Sequence, residues 1–424
     1  MKRPARAWAR PALVIGAVLV VAAGATAAVA LEDVPAPAAA RTAPKAGPAA
    51  TFAEPVIYAT GVRPWNNHVT DLNGDGVDDV ITVNGNNTQK GTVSVLLSKS
   101  DGTYADKIDT TIDFLTFGVT AGDLTGDGVA DLAVSGGEAR GFVKVLRGGA
   151  AGVFTADEGV VNVGYSPNAI VLADVNRDRK LDIITANYFA STVSVVLGNG
   201  NGTFKPEKHF MVGPTPQGLT VTDVNGDRKL DIVTGGFGLP EMSATVALGR
   251  GDGSFQPSKS HPAGEAINDA GVADFNGDGI KDLVTAGFVG RDVTVLLGKG
   301  RHGTDYQAKK SYPTAFGPNG LVVVDLNKDG ITDVLTSASP VQSRVPTNEA
   351  PATAATEPEP EKGGVAVLYG NGDGTLAKYV LHPIQAGAVT TIATVDVNGD
   401  GWLDLVGTVM DKNQVAVWLN TTGI

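Results

Sequence analysis

Hydrophobic and polar positions alternate in short blocks along the chain, and one stretch of about 50 residues shows the whole pattern. An apolar run at 169–173 leads into a charged loop, and a second apolar run covers 183–186. Residues 192–197 then alternate between polar and apolar side chains, and a glycine turn at 198–202 leads to a more polar run at 204–212. Apolar runs this short, bounded by turn residues, predict four β-strands and no helix.

The charged loop is a nine-residue phrase that recurs seven times. The copies are DLNGDGVDD from Asp71, DLTGDGVAD from Asp123, DVNRDRKLD from Asp174, DVNGDRKLD from Asp223, DFNGDGIKD from Asp274, DLNKDGITD from Asp325 and DVNGDGWLD from Asp396. Their starts lie 52, 51, 49, 51, 51 and 71 residues apart. A period of about 50 residues indicates one supersecondary unit repeated along the chain. Four antiparallel strands per unit predict an all-β fold, a seven-bladed β-propeller.

The two ends of the chain predict how the ring of blades closes. The last unit runs through a third strand at 415–419 and lacks a fourth. Residues 51–59 (TFAEPVIYA) resemble the fourth strand of the third unit (TFKPEKHFM, 203–211). We therefore predict a propeller domain over 51–424 whose N-terminal strand completes the last blade. Such a ring has no open sheet edge, and we expect a monomer.

Three segments lie outside the repeat. Basic residues such as Lys2 and Arg3, an apolar run at 13–30 and the A-x-A sequence at Ala28–Ala30 predict a signal peptide over 1–30. The alternative is an uncleaved membrane anchor. Residues 31–50 are rich in Pro and Ala and indicate a linker, and 339–362 indicates a disordered insertion within the sixth blade. We expect export to the cell surface or the extracellular space.

Oxygen-bearing side chains occupy positions 1, 3, 5 and 9 of every phrase, which suits Ca²⁺ because this ion takes six to eight oxygen ligands. Position 1 holds Asp71, Asp123, Asp174, Asp223, Asp274, Asp325 and Asp396. Position 3 holds Asn73, Thr125, Asn176, Asn225, Asn276, Asn327 and Asn398. Position 5 holds Asp75, Asp127, Asp178, Asp227, Asp278, Asp329 and Asp400. Position 9 holds Asp79, Asp131, Asp182, Asp231, Asp282, Asp333 and Asp404.

Up to seven calcium ions are therefore expected, although the loops are unequal. Thr125 is a poorer ligand than asparagine, and Arg179 and Arg228 replace the glycine of position 6, where a positive φ is costly for other residues. Arg177 places a further cation in the third loop. We predict the weakest binding in blades three and four. The alternative for every loop is an Asx turn, in which Asp and Asn simply bond their own backbone.

Charge and composition narrow the function. A formal net charge of −12 argues against nucleic acid and against anionic membrane surfaces as partners. The absence of cysteine excludes disulfides and thiol chemistry. No nucleophile elbow, HExxH motif or phosphate loop is present, so no catalytic residue is assigned.

His209, His261 and His382 are expected at the same place in successive outer strands, which indicates a structural role, whereas His68 is expected just before the first inner strand.

The phrases resemble the calcium loops of FG-GAP and VCBS repeats, the units of integrin-alpha-like propellers. The stretch from Ser166 to Phe204 is similar to a complete repeat of the secreted bacterial type, and the resemblance covers 51–424. It implies a calcium-loop propeller in which the Asp, Asn and Thr residues named above are the ligands. The family includes adhesion modules, lectin-like binders and lyases, so the fold does not choose the function.

The order of strands predicts two different faces. The acidic loops and the glycine turns share one, here called the acidic-loop face; the loops that differ between blades form the other, the variable-loop face. The variable loops are 63–68, 114–117, 165–168, 188–189, 237–242, 288–292, 316–319 and 339–362. Aromatic side chains beside Asn, Gln and Arg in these loops suit sugars or peptides. Our leading hypothesis is a secreted binding or adhesion module for a glycan or a protein. The alternatives are an extracellular polysaccharide lyase or hydrolase and a purely structural surface protein.

Overall fold

The fold is all-β, as the sequence pattern predicts. The computed structural model describes residues 46–85, 90–99, 101–137, 140–149, 152–157, 159–238, 242–339, 362–385 and 387–423. Over these ranges 3-10 conformation is confined to Gly152 and to a turn at Met410–Lys412, and no helix is long and apolar enough to cross a membrane. The predicted signal peptide or anchor at 1–30 and nearly all of the predicted insertion lie outside the described residues.

Each blade is an antiparallel sheet whose strands follow one another from the centre outward. The innermost strands are β2 (Pro64–Thr70), β6 (Thr116–Gly122), β11 (Pro167–Ala173), β15 (Pro216–Thr222), β19 (Ile267–Ala273), β23 (Leu321–Val324) and β27 (Val389–Val395). The second strands are β3 (Asp79–Gly85), β7 (Asp131–Gly136), β12 (Asp182–Asn187), β16 (Asp231–Gly236), β20 (Asp282–Gly287), β24 (Asp333–Ala338) and β28 (Asp404–Val409). The third strands are β4 (Gly91–Leu96), β8 (Gly141–Gly148), β13 (Thr192–Val196), β17 (Ser243–Ala247), β21 (Asp292–Leu296), β25 (Gly364–Leu368) and β29 (Gln414–Trp418).

The outer strands are short and partly exposed. They are β1 (Val56–Ala59), β5 (Ile108–Ile112), β14 (Lys208–Met211), β18 (Lys259–Pro262), β22 (Lys310–Pro313) and β26 (Val380–Pro383), together with the pair β9 (Phe154–Ala156) and β10 (Val161–Val163). Both β9 and β10 pair with β8, so the outer strand of the second blade is divided in two. In the third blade the outer strand is shorter than the predicted run, and Phe204 makes only an isolated bridge to Gly198.

The first strand of the chain closes the ring. β1 pairs antiparallel with β29, with Val56 opposite Val417 and Ala59 opposite Gln414. Backbone hydrogen bonds extend this pairing at both ends, from Ala53 N to Leu419 O and from Thr60 N to Asn413 O, each 2.9 Å. The last blade therefore has the strand order β1-β29-β28-β27, which confirms the predicted closure.

The hydrophobic core lies between neighbouring blades because consecutive side chains of a strand point to opposite faces of its sheet. Ile183 packs in a cluster with residues of the second blade, such as Ala133, whereas Ile184 packs with residues of the fourth, such as Ile232. All four side chains belong to fully buried residues. The second strand of each blade packs against neighbouring blades on both of its faces. It therefore lacks the alternation of polar and apolar residues that is typical of a sheet with one solvent-exposed face.

The acidic loops and glycine turns share one face, as predicted. The turn of one blade lies on the loop of the blade before it, as shown by hydrogen bonds from Gly202 N to Leu124 O at 2.9 Å and from Gly374 N to Phe275 O at 3.0 Å. The last blade has no such turn, and residues 46–50 lie on the sixth loop instead. Gly47 N donates to Asp329 Oδ2 at 2.7 Å, and Asn327 Nδ2 donates to the carbonyl of Pro48 at 3.1 Å. The end of the predicted linker thus contacts the propeller.

Candidate functional site in the acidic loops and on the opposite face

The aspartate at position 9 joins its loop to the rest of the blade. In the fourth blade Asp231 is fully buried, and its Oδ2 accepts a hydrogen bond from Val224 N at 2.9 Å, while Oδ1 accepts one from Gly249 N at 2.7 Å. The first bond holds the loop, and the second holds the end of the third strand. The same two bonds are made by Asp79, Asp131, Asp182, Asp282, Asp333 and Asp404. Sequence reasoning assigned these residues as metal ligands and missed this structural bond pair.

Burial of these carboxyl groups shifts their ionisation. Desolvation raises the pKa of position 9 to about 6 in the residues Asp182, Asp231, Asp282, Asp333 and Asp404. Hydrogen bonds from the two backbone N–H groups oppose this shift, and the other aspartates of the same loop add to it. The fold therefore keeps these carboxyl groups buried at an electrostatic cost that the two backbone hydrogen bonds partly offset.

Positions 1, 3 and 5 lie together at the tip of each loop; Asn73 and Asp75 of the first loop are exposed, whereas Asn327 of the sixth loop is buried. In the first loop Asp71 Oδ1 accepts from Gly74 N at 2.7 Å and Asp71 Oδ2 from Gly76 N at 2.9 Å, while Asn73 Nδ2 donates to Asp75 Oδ2 at 3.0 Å. These are the bonds of the Asx-turn alternative. The oxygens also fit a hard cation, since each carboxylate has about four lone-pair sites and these bonds leave some free. Within the described residues, however, no three acidic or histidine side chains already converge as a cation cage.

The arginines of the third and fourth loops have the backbone conformation that their positions require. Arg179 and Arg228 both have φ of 65°, where the first loop has Gly76 with φ of 85°. Arg177 has φ of 64° at position 4, where the first loop has Gly74. In the second loop the hydroxyl of Thr125 is buried and has no hydrogen-bond partner.

Two histidine predictions are wrong. His68 lies within β2, not before it, because the innermost strand begins at Pro64; burial lowers its pKa to about 4, and its buried Nδ1 has no hydrogen-bond partner. His209 does not share the position of His261 and His382. It lies opposite Ser194, and its Nδ1 is 3.0 Å from Ser194 Oγ, whereas Phe210 occupies the place equivalent to His261. An offset of one residue moves a side chain to the other face of the sheet.

Two aromatic rings are exposed on the variable-loop face. Tyr165 is 44% exposed and Phe189 is 52% exposed, and their rings stack with a centroid distance of 5.3 Å and an interplanar angle of 27°. Phe189 also rests edge-on against the buried ring of Tyr188 at 4.9 Å. The backbone bond from Tyr188 N to Ser166 O, 2.8 Å long, holds the two loops of the third blade together. No other aromatic side chain of the described residues is as exposed.

Amide side chains form contacts between blades at the start of the innermost strands. Asn168 Nδ2 donates to Gln217 Oε1 at 3.0 Å, and Asn268 Nδ2 donates to Asn319 Oδ1 at 2.5 Å. All four amides are buried. Each lies six residues before the first aspartate of its phrase, a signal that alignment of the seven units could have found. These bonds fix the bases from which the variable loops emerge.

Comparison with known proteins identifies the repeat. The profile described as "FG-GAP-like repeat" matches residues 71–134, 174–234, 223–285 and 274–336, which together cover more than half of the chain. No curated protein matches the chain. A crystal structure of a functionally unknown protein from Desulfotomaculum acetoxidans aligns over 76% of this chain and 87% of that one, with 12% identity and a TM-score of 0.50. At this identity the likeness shows the fold alone.

Proposed function

The chain belongs to the FG-GAP-like repeat family, and we propose that it is a secreted, calcium-loaded propeller that binds an extracellular glycan or protein on its variable-loop face. The observation that carries the proposal is the exposed, stacked pair of Tyr165 and Phe189. Stacked rings with one open face suit the apolar face of a sugar or an aromatic or aliphatic peptide side chain. The buried ring of Tyr188 supports Phe189 from below.

The platform is held in place before a ligand arrives. Ser166 donates to Asn168 Oδ1 at 3.1 Å, and Asn168 in turn donates to Gln217 of the next blade. Ser166 and Ser191, which flank the two loops, have positive φ angles of 57° and 54° and thus occupy specific turn conformations. A rigid platform loses little conformational entropy on binding, which favours affinity.

In this proposal the acidic loops serve stability. The side chains at positions 1, 3 and 5 of each loop would hold a calcium ion, which neutralises carboxylates that otherwise repel one another. The donor oxygens support this role, because carboxylate and amide oxygens are the ligands that Ca²⁺ prefers. Because ions that bind only the native state stabilise it by mass action, a chelator should lower the melting temperature and added Ca²⁺ should restore it.

A glycan array probed with and without calcium tests the binding function. We expect binding by the full chain and a loss of roughly tenfold or more when Tyr165 and Phe189 are both changed to alanine, since stacked aromatic contacts are worth about 0.5–1.5 kcal/mol each. Met211→Ala is the matched control, because Met211 is 68% exposed on the outer strand of the same blade. Release of oligosaccharide products from any ligand would contradict the binding-module hypothesis and favour the polysaccharide lyase or hydrolase alternative. Equal binding by the double variant and the control would exclude the platform.

A further inference from the structure

Residues 46–50, here called the strap, lie on the sixth acidic loop and bond to its side chains. Elsewhere a glycine turn lies on the loop of the preceding blade and bonds to its backbone. The strap bonds to positions 3 and 5 instead: Gly47 N donates to Asp329 Oδ2 at 2.7 Å, and Asn327 Nδ2 donates to the carbonyl of Pro48 at 3.1 Å. The strap and a calcium ion would therefore use the same two side chains.

Asp329 Oδ2 has no acceptor site left for an ion. It accepts from Asn327 Nδ2 at 3.0 Å as well as from Gly47 N, and a carboxylate oxygen has two lone pairs. The equivalent oxygen of Asp75 accepts one bond, from its own loop, at 3.0 Å. Across the described residues, bonds from within the same loop are also those made by the position 5 residues Asp127, Asp178, Asp227, Asp278 and Asp400.

The strap also covers the side chains of the sixth loop. Asp329 is half-buried and Asn327 is 7% exposed, whereas position 5 is exposed in the other six loops. The Asn327 Nδ2 group is held by two acceptors, Pro48 O and Asp329 Oδ2, so the amide cannot turn toward an ion without losing its strap bond. An ion that uses both side chains has to displace Gly47 and Pro48.

The two ends of the strap are held differently. Ala50 is buried in the core cluster of the sixth and seventh blades, and its N–H donates to the hydroxyl of Tyr369 at 2.8 Å. Residues 46–49 are exposed or half-buried. The segment 46–48 can therefore leave the loop while Ala50 and β1 stay in place.

We propose that a calcium ion in the sixth loop displaces residues 46–48, and that the docked strap weakens calcium binding in this loop alone. This release rests on the calcium role proposed above. The coupling is reciprocal, so the strap lowers the calcium affinity by the same factor by which calcium lowers strap docking. Two hydrogen bonds, one of them to a carboxylate, set this factor at about tenfold. Release would free the end of the predicted linker (31–50) from the acidic-loop face.

Two pairs of variants separate the ion from the strap. Asp325→Ala removes a calcium ligand of the sixth loop whose bonds come from within that loop, and Asp274→Ala is its match in the fifth loop, since both carboxylates accept from the amides of positions 5 and 6. Gly47→Ala weakens the strap, because a Cβ at this residue would lie 2.9 Å from Asp329 Cβ. Ala49→Ser, at an exposed position of the strap, is the match for Gly47→Ala.

Hydrogen–deuterium exchange of the full chain, resolved to single amides, follows the strap during a calcium titration at constant ionic strength. In the wild type we expect calcium to speed exchange of the Gly47 amide by about tenfold and to leave the Ala50 amide unchanged. Asp325→Ala should keep the Gly47 amide slow in calcium, whereas Asp274→Ala should release it as the wild type does. In chelator both aspartate variants should match the wild type at Gly47; if Asp325→Ala does not, the Gly47→Ala titration decides alone.

The Gly47→Ala titration measures the reverse effect. This variant should lower by about tenfold the calcium concentration at which exchange in 325–333 is half-slowed, and should leave the value for 274–282 unchanged. Ala49→Ser should shift neither value. Calcium that slows exchange in 274–282 but leaves the Gly47 amide unaffected would overturn the strap alone, as would an equal shift in Ala49→Ser. Absence of slowed exchange in every acidic loop at any calcium concentration would overturn both the strap and the proposed calcium role.

Discussion

Replacing the position 9 aspartate of the first blade should cost far more stability than replacing its position 5 aspartate, even without any cation. Asp79 is fully buried and accepts hydrogen bonds from Leu72 N at 3.0 Å and Ser98 N at 2.7 Å. Asp79→Ala leaves two buried N–H groups without partners, at about 1–3 kcal/mol each. Because burial raises the pKa of Asp79, its charged form carries a desolvation cost that the alanine variant does not, which offsets part of the loss. We expect a net loss of about 2–4 kcal/mol.

Asp75→Ala is the comparison, because Asp75 is exposed and water can replace it as the acceptor for Val77 N. In chelator its cost should stay below about 1 kcal/mol. In calcium the cost should grow, by as much as about 2.7 kcal/mol when the free ion is at 100 times its dissociation constant. Urea denaturation of both variants in chelator and in calcium measures these differences. Equal costs for Asp75→Ala and Asp79→Ala in chelator would refute the structural role of position 9.

Two further predictions concern the seam of the ring. A chain that begins at residue 61 should melt at least about 6 °C below one that begins at residue 46. The shorter chain loses the β1–β29 ladder and the contacts of Gly47 and Ala50, and at ~1 kcal/mol per hydrogen bond this lowers the free energy of unfolding by more than about 5 kcal/mol. Equal melting temperatures would contradict closure by this segment. Burial holds the pKa of His382 at about 4, below its ordinary value of 6.5, so the stability that depends on its neutral form is complete above pH 6.5 and is lost as pH falls toward 4. Tyrosine occupies the equivalent register in two other outer strands, at Tyr58 and Tyr312, so His382→Tyr should fit this position. Because tyrosine is neutral over this range, the variant should lose less stability between pH 6.5 and 5, by roughly 1 kcal/mol per pH unit, as measured by urea denaturation. An unchanged pH profile would exclude the burial of neutral His382 as the cause of the pH dependence.

The blade count and the closure of the ring were predictable because they rest on local signals that repeat. The acidic phrase recurs once in each blade, first at Asp71 and last at Asp396. The sequence TF occurs at residues 51–52 as well as at 203–204, and it identifies 51–59 as the outer strand that the last blade lacks. Both signals depend only on the order of strands along the chain, and the repeats show that order directly.

The role of position 9 was not predictable in the same way. A carboxylate that ligates a cation and one that accepts two backbone N–H groups have the same sequence pattern. The second donor, Ser98 N for Asp79, lies 19 residues away in sequence, and only the strand register brings it close. The error at His209 has the same origin, since a shift of one residue in register cannot be read from a short polar strand. The exposed pair on the third blade needed the structure too, because sequence does not separate an exposed Phe189 from a buried Tyr188.

We propose that the repeated acidic loops form a structural face and that the opposite face binds a ligand. Hydrogen–deuterium exchange of the full chain, with and without a neutral glycan or a protein ligand identified by the array, tests it most directly. We expect slower exchange in the segments 164–168 and 187–191, beside Tyr165 and Phe189, and unchanged exchange in the seven acidic loops. Slower exchange confined to the acidic loops, with 164–168 and 187–191 unaffected, would contradict it.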